Sequence, residues 1–118
     1  MQITKYAHSC ILLDDGQTKI LFDPGLYSDI PELDLDAIII THVHQDHLDM
    51  DKLQPLLKNN PRIITNTEVK VELDKHNIPC EIVEEGATTT VGTFAIEAFG
   101  NEHAIMHPDL PKFQNTGY

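Results

Sequence analysis

The sequence predicts an α/β domain (α+β in layout), built from a mixed β-sheet with helices on one face. Its 118 residues are the length of one domain, which we assign to residues 1–118. Short apolar runs bounded by turn signals occupy both ends of the chain, which is typical of strands. Between them, strand-like runs alternate with stretches of helical spacing, in the order β-α-β-α-β.

The first three strands are predicted before residue 26. Residues 3–7 and 10–13 are short apolar-rich runs, and the Asp14-Asp15-Gly16 sequence that follows is typical of a tight hairpin turn. Residues 18–22 then return as the third strand, which ends at Asp23-Pro24-Gly25. These runs predict an antiparallel meander.

A buried strand is predicted at residues 37–40, after a loop over 26–31. The run Ala37-Ile38-Ile39-Ile40 is continuously apolar rather than alternating, so both of its faces need cover. Helices can cover one face. We expect the chain to have little left with which to cover the other.

Two helical stretches follow this strand. Leu53, Leu56 and Leu57 recur at helical spacing, and Pro55 predicts a kink or a restart among them. A second helix is predicted after Thr65, which with Glu68 matches a capping box. Strands are predicted at residues 62–65 and 80–83, and an antiparallel pair at 88–91 and 93–99 about Gly92.

The acidic composition disfavours nucleic acid as a partner. The chain carries 19 acidic against 8 basic residues, a formal net charge of −11, so its surface repels nucleic-acid backbones. A bound metal can invert the field locally and admit a small anionic substrate. Cys10 and Cys80 are far apart in sequence and are expected to be free thiols. No apolar run approaches membrane-spanning length, so we expect no membrane partner and a cytoplasmic location.

The run from Thr41 to His47 carries the strongest functional signal. It reads THVHQDH, which places three histidines and an aspartate within six residues at the end of the buried strand. Such a cluster has no packing rationale there, whereas imidazole and carboxylate ligands suit zinc, iron or manganese. We expect His42 and His44 to bind one ion, with Asp46 and His47 turned toward a second position.

A further ligand for the first ion is expected from another strand end. His103 is the best candidate because it follows the strand predicted to end at Phe99-Gly100, and His107 is the fallback. Zinc lowers the pKa of water at such an open position to about 7, so hydroxide is available at neutral pH. The sequence therefore predicts metal-assisted hydrolysis of an ester, lactone, amide or phosphodiester.

The motif at residues 41–47 resembles the signature of the metallo-β-lactamase superfamily. Residues 7–13 (AHSCILL), 20–25 (ILFDPG) and 46–49 (DHLD) resemble its ascorbate-6-phosphate-lactonase-like branch, and residues 102–109 (EHAIMHPD) resemble the region of the third metal histidine. This resemblance implies an αββα sandwich with a dinuclear metal site, usually zinc, at one edge between two sheets. The chain would form half of that sandwich.

The resemblance also implies roles for individual residues. His42, His44 and His103 would hold the first ion, and Asp46 and His47 the second. Asp46 would also orient the attacking water or take its proton. His8 and Asp23 would lie at strand ends near the metal ligands, and Asp23 would accept a hydrogen bond from the second ring nitrogen of a ligating histidine.

Members of this superfamily are roughly twice as long (~200 residues), and their second half supplies a bridging aspartate and a final histidine. Three hypotheses therefore stay open. The chain is the N-terminal half of a hydrolase that needs a partner or its missing half, or a mononuclear metal-binding domain without turnover. Alternatively it is a self-associating protein whose exposed sheet pairs with a second copy.

Overall fold

A six-stranded mixed sheet forms the centre of the computed structural model, which describes residues 1–118. The strands follow chain order across the sheet, antiparallel among the first three and parallel from the third to the sixth. They are β1 (Gln2–Lys5), β2 (Ile11–Asp14), β3 (Lys19–Phe22), β4 (Ala37–Ile39), β5 (Arg62–Thr65) and β6 (Glu81–Ile82). The predicted mixed sheet is confirmed.

Two short helices connect the parallel strands. Helix α1 (Met50–Leu53) begins at Asp49, whose carboxylate accepts the backbone N–H of Lys52, and a 3₁₀ turn (Gln54–Leu57) follows it. Pro55 stands in the first turn of that 3₁₀ segment, where its missing N–H costs no hydrogen bond. The predicted restart at Pro55 is thus present. Helix α2 (Thr67–Asp74) links β5 to β6.

The helices cover one face of the sheet, as predicted. Thirteen buried residues form a core on that face, and Leu21, Ile38 and Ile40 from the strand segments pack in it with Leu53, Val69 and Leu73 from the helices. Burial of six such side chains contributes on the order of 10 kcal/mol before conformational entropy is counted.

The other face is partly covered by a hairpin of two strands, β7 (Thr88–Val91) and β8 (Phe94–Glu97). Val91, Ile96 and Ala98 belong to a second core of eight buried residues, which includes Ile39 and Ile64 of the central sheet. The expectation that little of the chain would cover this face is therefore wrong for β3 to β5, which the hairpin covers. It holds for β1 and β2, where Ile3 stays 67% exposed.

Several predicted boundaries were wrong by one or two residues, and two of these errors have a local reason. β1 ends at Lys5 because Ala7 and His8 adopt φ of 65° and 49°, which no strand contains. Helix α2 is capped by Asn66, whose side chain accepts the N–H of Val69, and not by the predicted Thr65. Thr65 is the last residue of β5, and its hydroxyl donates to the carbonyl of Ile40.

The direction of the strands brings several candidate site residues to the same edge of the sheet. β1, β3 and β4 run the same way, so their carboxyl ends meet at the same edge of the sheet. The segments that begin with His8, Asp23 and Thr41 all leave the sheet there. Ligands in open α/β sheets bind at the carboxyl ends of the strands. No helix of the structure combines the length and the apolar character that crossing a membrane requires.

Candidate metal centre

The motif loop after β4 is held in one conformation by its own backbone. The carbonyl of His44 accepts the N–H of both His47 and Leu48, which closes a tight turn around Gln45 and Asp46. Asp49 then begins α1. The turn reverses the chain directly after His44, so His42 and His44 lie on one side of the loop, and Asp46 and His47 contribute to a second group.

The loop after β3 supports the motif loop from beside it. The N–H of Leu26 donates to the carbonyl of Gln45, and the N–H of Asp49 donates to that of Pro24. Gly25 lies so close that a Cβ placed on it would be 1.9 Å from the carbonyl oxygen of Asp46. Only glycine permits this approach.

Three histidines form the first cluster. One ring nitrogen from each of His42, His44 and His103 lies within 4.8 Å of the others. The ring centroids are 4.9 Å apart for His42 and His44, 4.9 Å for His42 and His103, and 4.8 Å for His44 and His103. This donor set fits a metal ion with three imidazole ligands and an open position.

His103 reaches the cluster through two antiparallel bridges after β8. Phe99 pairs with Gly117 and Glu102 with Gln114, and the N–H of His103 donates to the carbonyl of Phe113 at 2.8 Å. The chain between these bridges forms an irregular loop. His107 lies in that loop with its side chain 61% exposed and belongs to neither cluster. The structure therefore brings His103 to the site and leaves the fallback candidate outside.

Hydrogen bonds fix which ring nitrogen of His42 and of His103 is free. The hydroxyl of Thr41 donates to Asp23 at 2.8 Å, so at 2.9 Å it accepts the Nδ1–H of His42. The Nδ1–H of His103 donates to the carbonyl of Ala104. Both rings therefore present Nε2 as a ligand atom.

The protonation state of His42 suits a metal ligand. Only 4% of its surface is exposed, and burial lowers its pKa to about 4, assisted by the positive charge that neighbouring His47, His44 and His103 would carry. The ring is therefore neutral at pH 7. A neutral imidazole is the form that binds a metal.

His8, Asp46 and His47 form a second cluster beside the first. Their ligand atoms also lie within 4.8 Å of one another, and the ring centroids of His42 and His47 are only 3.9 Å apart. The Nε2 atom of His8 is 2.8 Å from Oδ2 of Asp46, and that of His47 is 3.4 Å from the same oxygen. Burial opposes ionisation of Asp46, but the hydrogen bond from His8 and the charge of His47 outweigh it and lower its pKa.

Asp23 connects the two clusters. It is buried, accepts the N–H and the hydroxyl of Thr41 at 2.8 Å each, and accepts Nδ1–H of His47 at 2.8 Å. Burial favours the neutral form of His47, but the hydrogen bond and the charge of Asp23, with that of Asp46, prevail and raise its pKa. Asp23 was predicted to accept a hydrogen bond from a ligating histidine, and in the structure it accepts one from Nδ1–H of His47. His8, predicted to lie near the site, contacts Asp46 through Nε2.

Two supporting residues were missed from the sequence. Thr41 carries the hydrogen bond from His42 to Asp23, and its position directly before the motif was the available signal. Asn66 donates to the carbonyl of Thr41 at 2.8 Å while it caps α2, which ties the motif strand to that helix. Nothing in the sequence separates this asparagine from an ordinary helix cap.

A cavity of about 440 Å³ opens beside both clusters. Its lining residues are Leu26, Tyr27, His44, Gln45, Asp46 and Met106. A larger cavity of about 590 Å³ lies between residues 29–33 and the α1 region but contains no histidine. The chemistry of the lining, not the size of the cavity, therefore locates the candidate site.

One known protein family matches almost the whole chain. The family model described as the beta-lactamase superfamily domain matches residues 2–118. The chain belongs to the β-lactamase superfamily. A crystal structure from Parabacteroides distasonis, whose name describes a metal-dependent hydrolase, covers 98% of the chain with a TM-score of 0.75 and 29% identity. The β-hydroxylase CmlA matches 97% of the chain with a TM-score of 0.76 at 20% identity, which indicates a shared fold.

The superfamily relatives are longer than this chain. Protein Rv0786c of Mycobacterium tuberculosis is 37% identical over 122 residues, which is 100% of this chain and 56% of that protein. A UPF0173 metal-dependent hydrolase of Alkaliphilus metalliredigens is 30% identical over 77% of this chain and 43% of its own length. The chain spans about half the length of the curated relatives it matches.

Proposed function

We propose that this chain carries the metal centre of a hydrolase that directs water onto an ester, lactone or phosphodiester bond of a small molecule. The observation that carries the proposal is the convergence of His42, His44 and His103, two of which have Nε2 freed by a defined hydrogen bond. A zinc ion held there would act as a Lewis acid and lower the pKa of water to about 7. Manganese and iron also suit these ligands.

The roles of the chain's own residues follow from their surroundings. Asp46 would orient the attacking water or take its proton, and its lowered pKa keeps it ionised and favours the orienting role. Thr41 and Asp23 hold the His42 ring in the orientation that binding requires. The adjoining cavity of about 440 Å³ is of a size for a small substrate. The net charge of −11 disfavours nucleic acid as that substrate.

Turnover by the metal-loaded chain tests this proposal. We would measure hydrolysis of p-nitrophenyl acetate, a γ-lactone and bis(p-nitrophenyl) phosphate with zinc, manganese or iron present. We expect a hydrolysis rate that a chelator abolishes and that His44→Ala reduces by at least about 100-fold. His107→Ala, which removes an exposed histidine outside both clusters, should leave the activity unchanged.

The competing function is metal binding without turnover. The length of the relatives supports it, because groups outside these 118 residues would then complete the catalytic site. Metal binding that His44→Ala abolishes, with no hydrolysis of any of the three probes, would favour that reading over a hydrolase active on its own.

A further inference from the structure

The second cluster takes its members from two separate parts of the chain. Asp46 and His47 come from the motif loop, whereas His8 comes from the turn after β1, 38 residues before Asp46. Both imidazoles approach the same carboxylate oxygen, Oδ2 of Asp46, at 2.8 Å and 3.4 Å. Two nitrogen donors and one oxygen donor therefore lie within 4.8 Å of one another.

The Nε2 atoms of both rings face Asp46. The Nδ1–H of His47 donates to Asp23, which leaves Nε2 of His47 to face Asp46. His8 likewise presents Nε2 to Asp46. Two imidazole nitrogens and one carboxylate oxygen make up a zinc ligand set known in hydrolases, with the fourth position open.

The backbone turn that delivers His8 is an unfavourable one. Ala7 and His8 are consecutive non-glycine residues with φ of 65° and 49°, and each costs about 1–2 kcal/mol relative to an ordinary conformation. Hydrogen bonds from Tyr6 N–H to Cys10 and from Cys10 N–H to Ala7 hold the turn closed. Strain of this kind persists where the surrounding structure enforces it, and it concentrates at functional sites.

We propose that His8 is a direct ligand of a second metal ion and completes a site with Asp46 and His47. The inference rests on the metal-dependent function proposed above. In this structure the two ligand atoms that the ion would join, Nε2 of His8 and Oδ2 of Asp46, are held together by a hydrogen bond of 2.8 Å. Binding of the ion would break that hydrogen bond: the Nε2 proton of His8 passes to solvent, Nδ1 of the neutral ring carries the proton instead, and Nε2 and Oδ2 each become free to coordinate the ion.

The rival interpretation is that His8 only orients Asp46 through a hydrogen bond. His8→Gln separates the two, because the glutamine amide still donates to a carboxylate but is a poor zinc ligand. His8→Asn is a second variant in case glutamine disturbs the turn. Asparagine tolerates the positive φ of this position better than most residues do, so this variant should keep the fold. His76→Gln is the matched control, because His76 is exposed after α2 and belongs to neither cluster.

The experiment is zinc titration of the metal-free 118-residue protein by calorimetry, with elemental analysis of the dialysed product. We expect two ions per chain for the wild type and for His76→Gln. For His8→Gln and His8→Asn we expect one, with the affinity for the second ion lowered at least about 100-fold. Circular dichroism confirms folding of each variant.

A spectroscopic readout reports on His8 itself. In ¹⁵N-labelled protein, Nε2 of His8 should shift with the second equivalent of zinc and not with the first. Two ions bound by His8→Gln, one ion bound by the wild type, or an unmoved His8 resonance would each overturn the proposal while leaving the first site intact. No zinc bound by the wild type would overturn the proposed function as well.

Discussion

At the scale of single residues, Asp23 organises the candidate site without lying in either ligand group. Its carboxylate accepts Nδ1–H of His47 directly and holds His42 through the Thr41 hydroxyl. One buried negative charge therefore sets the ring orientation of one histidine in each cluster. Removing that charge should weaken metal binding more than it disturbs the fold.

Asp23→Asn tests this directly. The amide keeps the shape and one acceptor oxygen but loses the charge, so we expect zinc affinity to fall about 10–100-fold. Competition with a chromophoric chelator measures the change. Asp51→Asn, which removes the same charge from an exposed site on α1, serves as the control. Equal affinities for wild type and Asp23→Asn would contradict the assigned role.

The buried His42 ring predicts a pH dependence for the metal-free protein. Its pKa is about 4 in the folded chain and near 6.5 when unfolded. Between these values the unfolded chain binds a proton that the folded chain does not. The free energy of unfolding should therefore fall as pH drops from 6.5 to 4.5, by about 1.4 kcal/mol per unit at most.

His47 affects the free energy of unfolding at a higher pH than His42 does. Its folded pKa is raised, so its contribution is complete below pH 6.5 and is lost as pH rises through the folded value. Urea unfolding in the presence of a chelator, at pH 6.5, 5.5 and 4.5, should show a flatter slope for His42→Gln than for wild type. His76→Gln should keep the wild-type slope. Parallel slopes for all three proteins would refute the assignment to His42.

At the scale of elements, the site depends on two loops that lie against each other at the carboxyl ends of β3 and β4. Gly25 marks their closest approach. A methyl group there would overlap the peptide between Asp46 and His47, with 2.2 Å to the carbonyl carbon and 2.7 Å to the following nitrogen. Neither atom belongs to a flexible side chain that could move aside.

Gly25→Ala should therefore displace the motif loop. We expect a loss of about 3 kcal/mol in the free energy of unfolding, the upper end for overpacking, together with weaker zinc binding. Gly117→Ala is the control because its added Cβ would lie 3.6 Å from the carbonyl of Phe99, an ordinary contact. A Gly25→Ala protein as stable as Gly117→Ala would show that the two loops can separate freely.

The elements also show where sequence reasoning succeeds. The continuous run at Ala37 to Ile40 identified the central strand, and Pro55 identified the break between α1 and the 3₁₀ turn. The cap of α2 was misplaced by one residue because Thr65 and Asn66 are both good caps. The choice depends on Thr65 pairing in β5, a tertiary fact that local sequence does not contain.

At the scale of the whole molecule, the position of His103 depends on contacts far apart in sequence. The spacing of His42 and His44 identified them as a pair. His103 lies 59 residues beyond His44 and reaches it only because the bridges of Phe99 with Gly117 and Glu102 with Gln114 bring that segment back to the sheet edge. His103 was preferred over His107 because it directly follows a predicted strand end. The turn that brings His8 to the site, with positive φ at two non-glycine residues, could not be predicted from the local sequence.

The remaining apolar face predicts how the chain behaves in solution. β7 and β8 cover β3 to β5, but Ile3, Ile11, Leu13, Phe22 and Tyr118 line an open cavity of about 400 Å³ over β1 to β3. We propose that a second copy of the chain covers this face about a two-fold axis, since identical apolar patches are complementary to one another. The net charge of −11 on each copy opposes the association.

These two forces give the association a distinctive salt dependence. Raising the salt concentration shortens the Debye length from about 10 Å at 0.1 M to about 3 Å at 1 M, so repulsion weakens while burial of apolar surface persists. Sedimentation velocity should show a dimer that strengthens with salt. Ile3→Lys should weaken it about 10-fold or more, whereas Val71→Lys, an equal charge change at a side chain 57% exposed on α2, should not. A monomer at every concentration and salt level would rule out a second copy as the cover of this face.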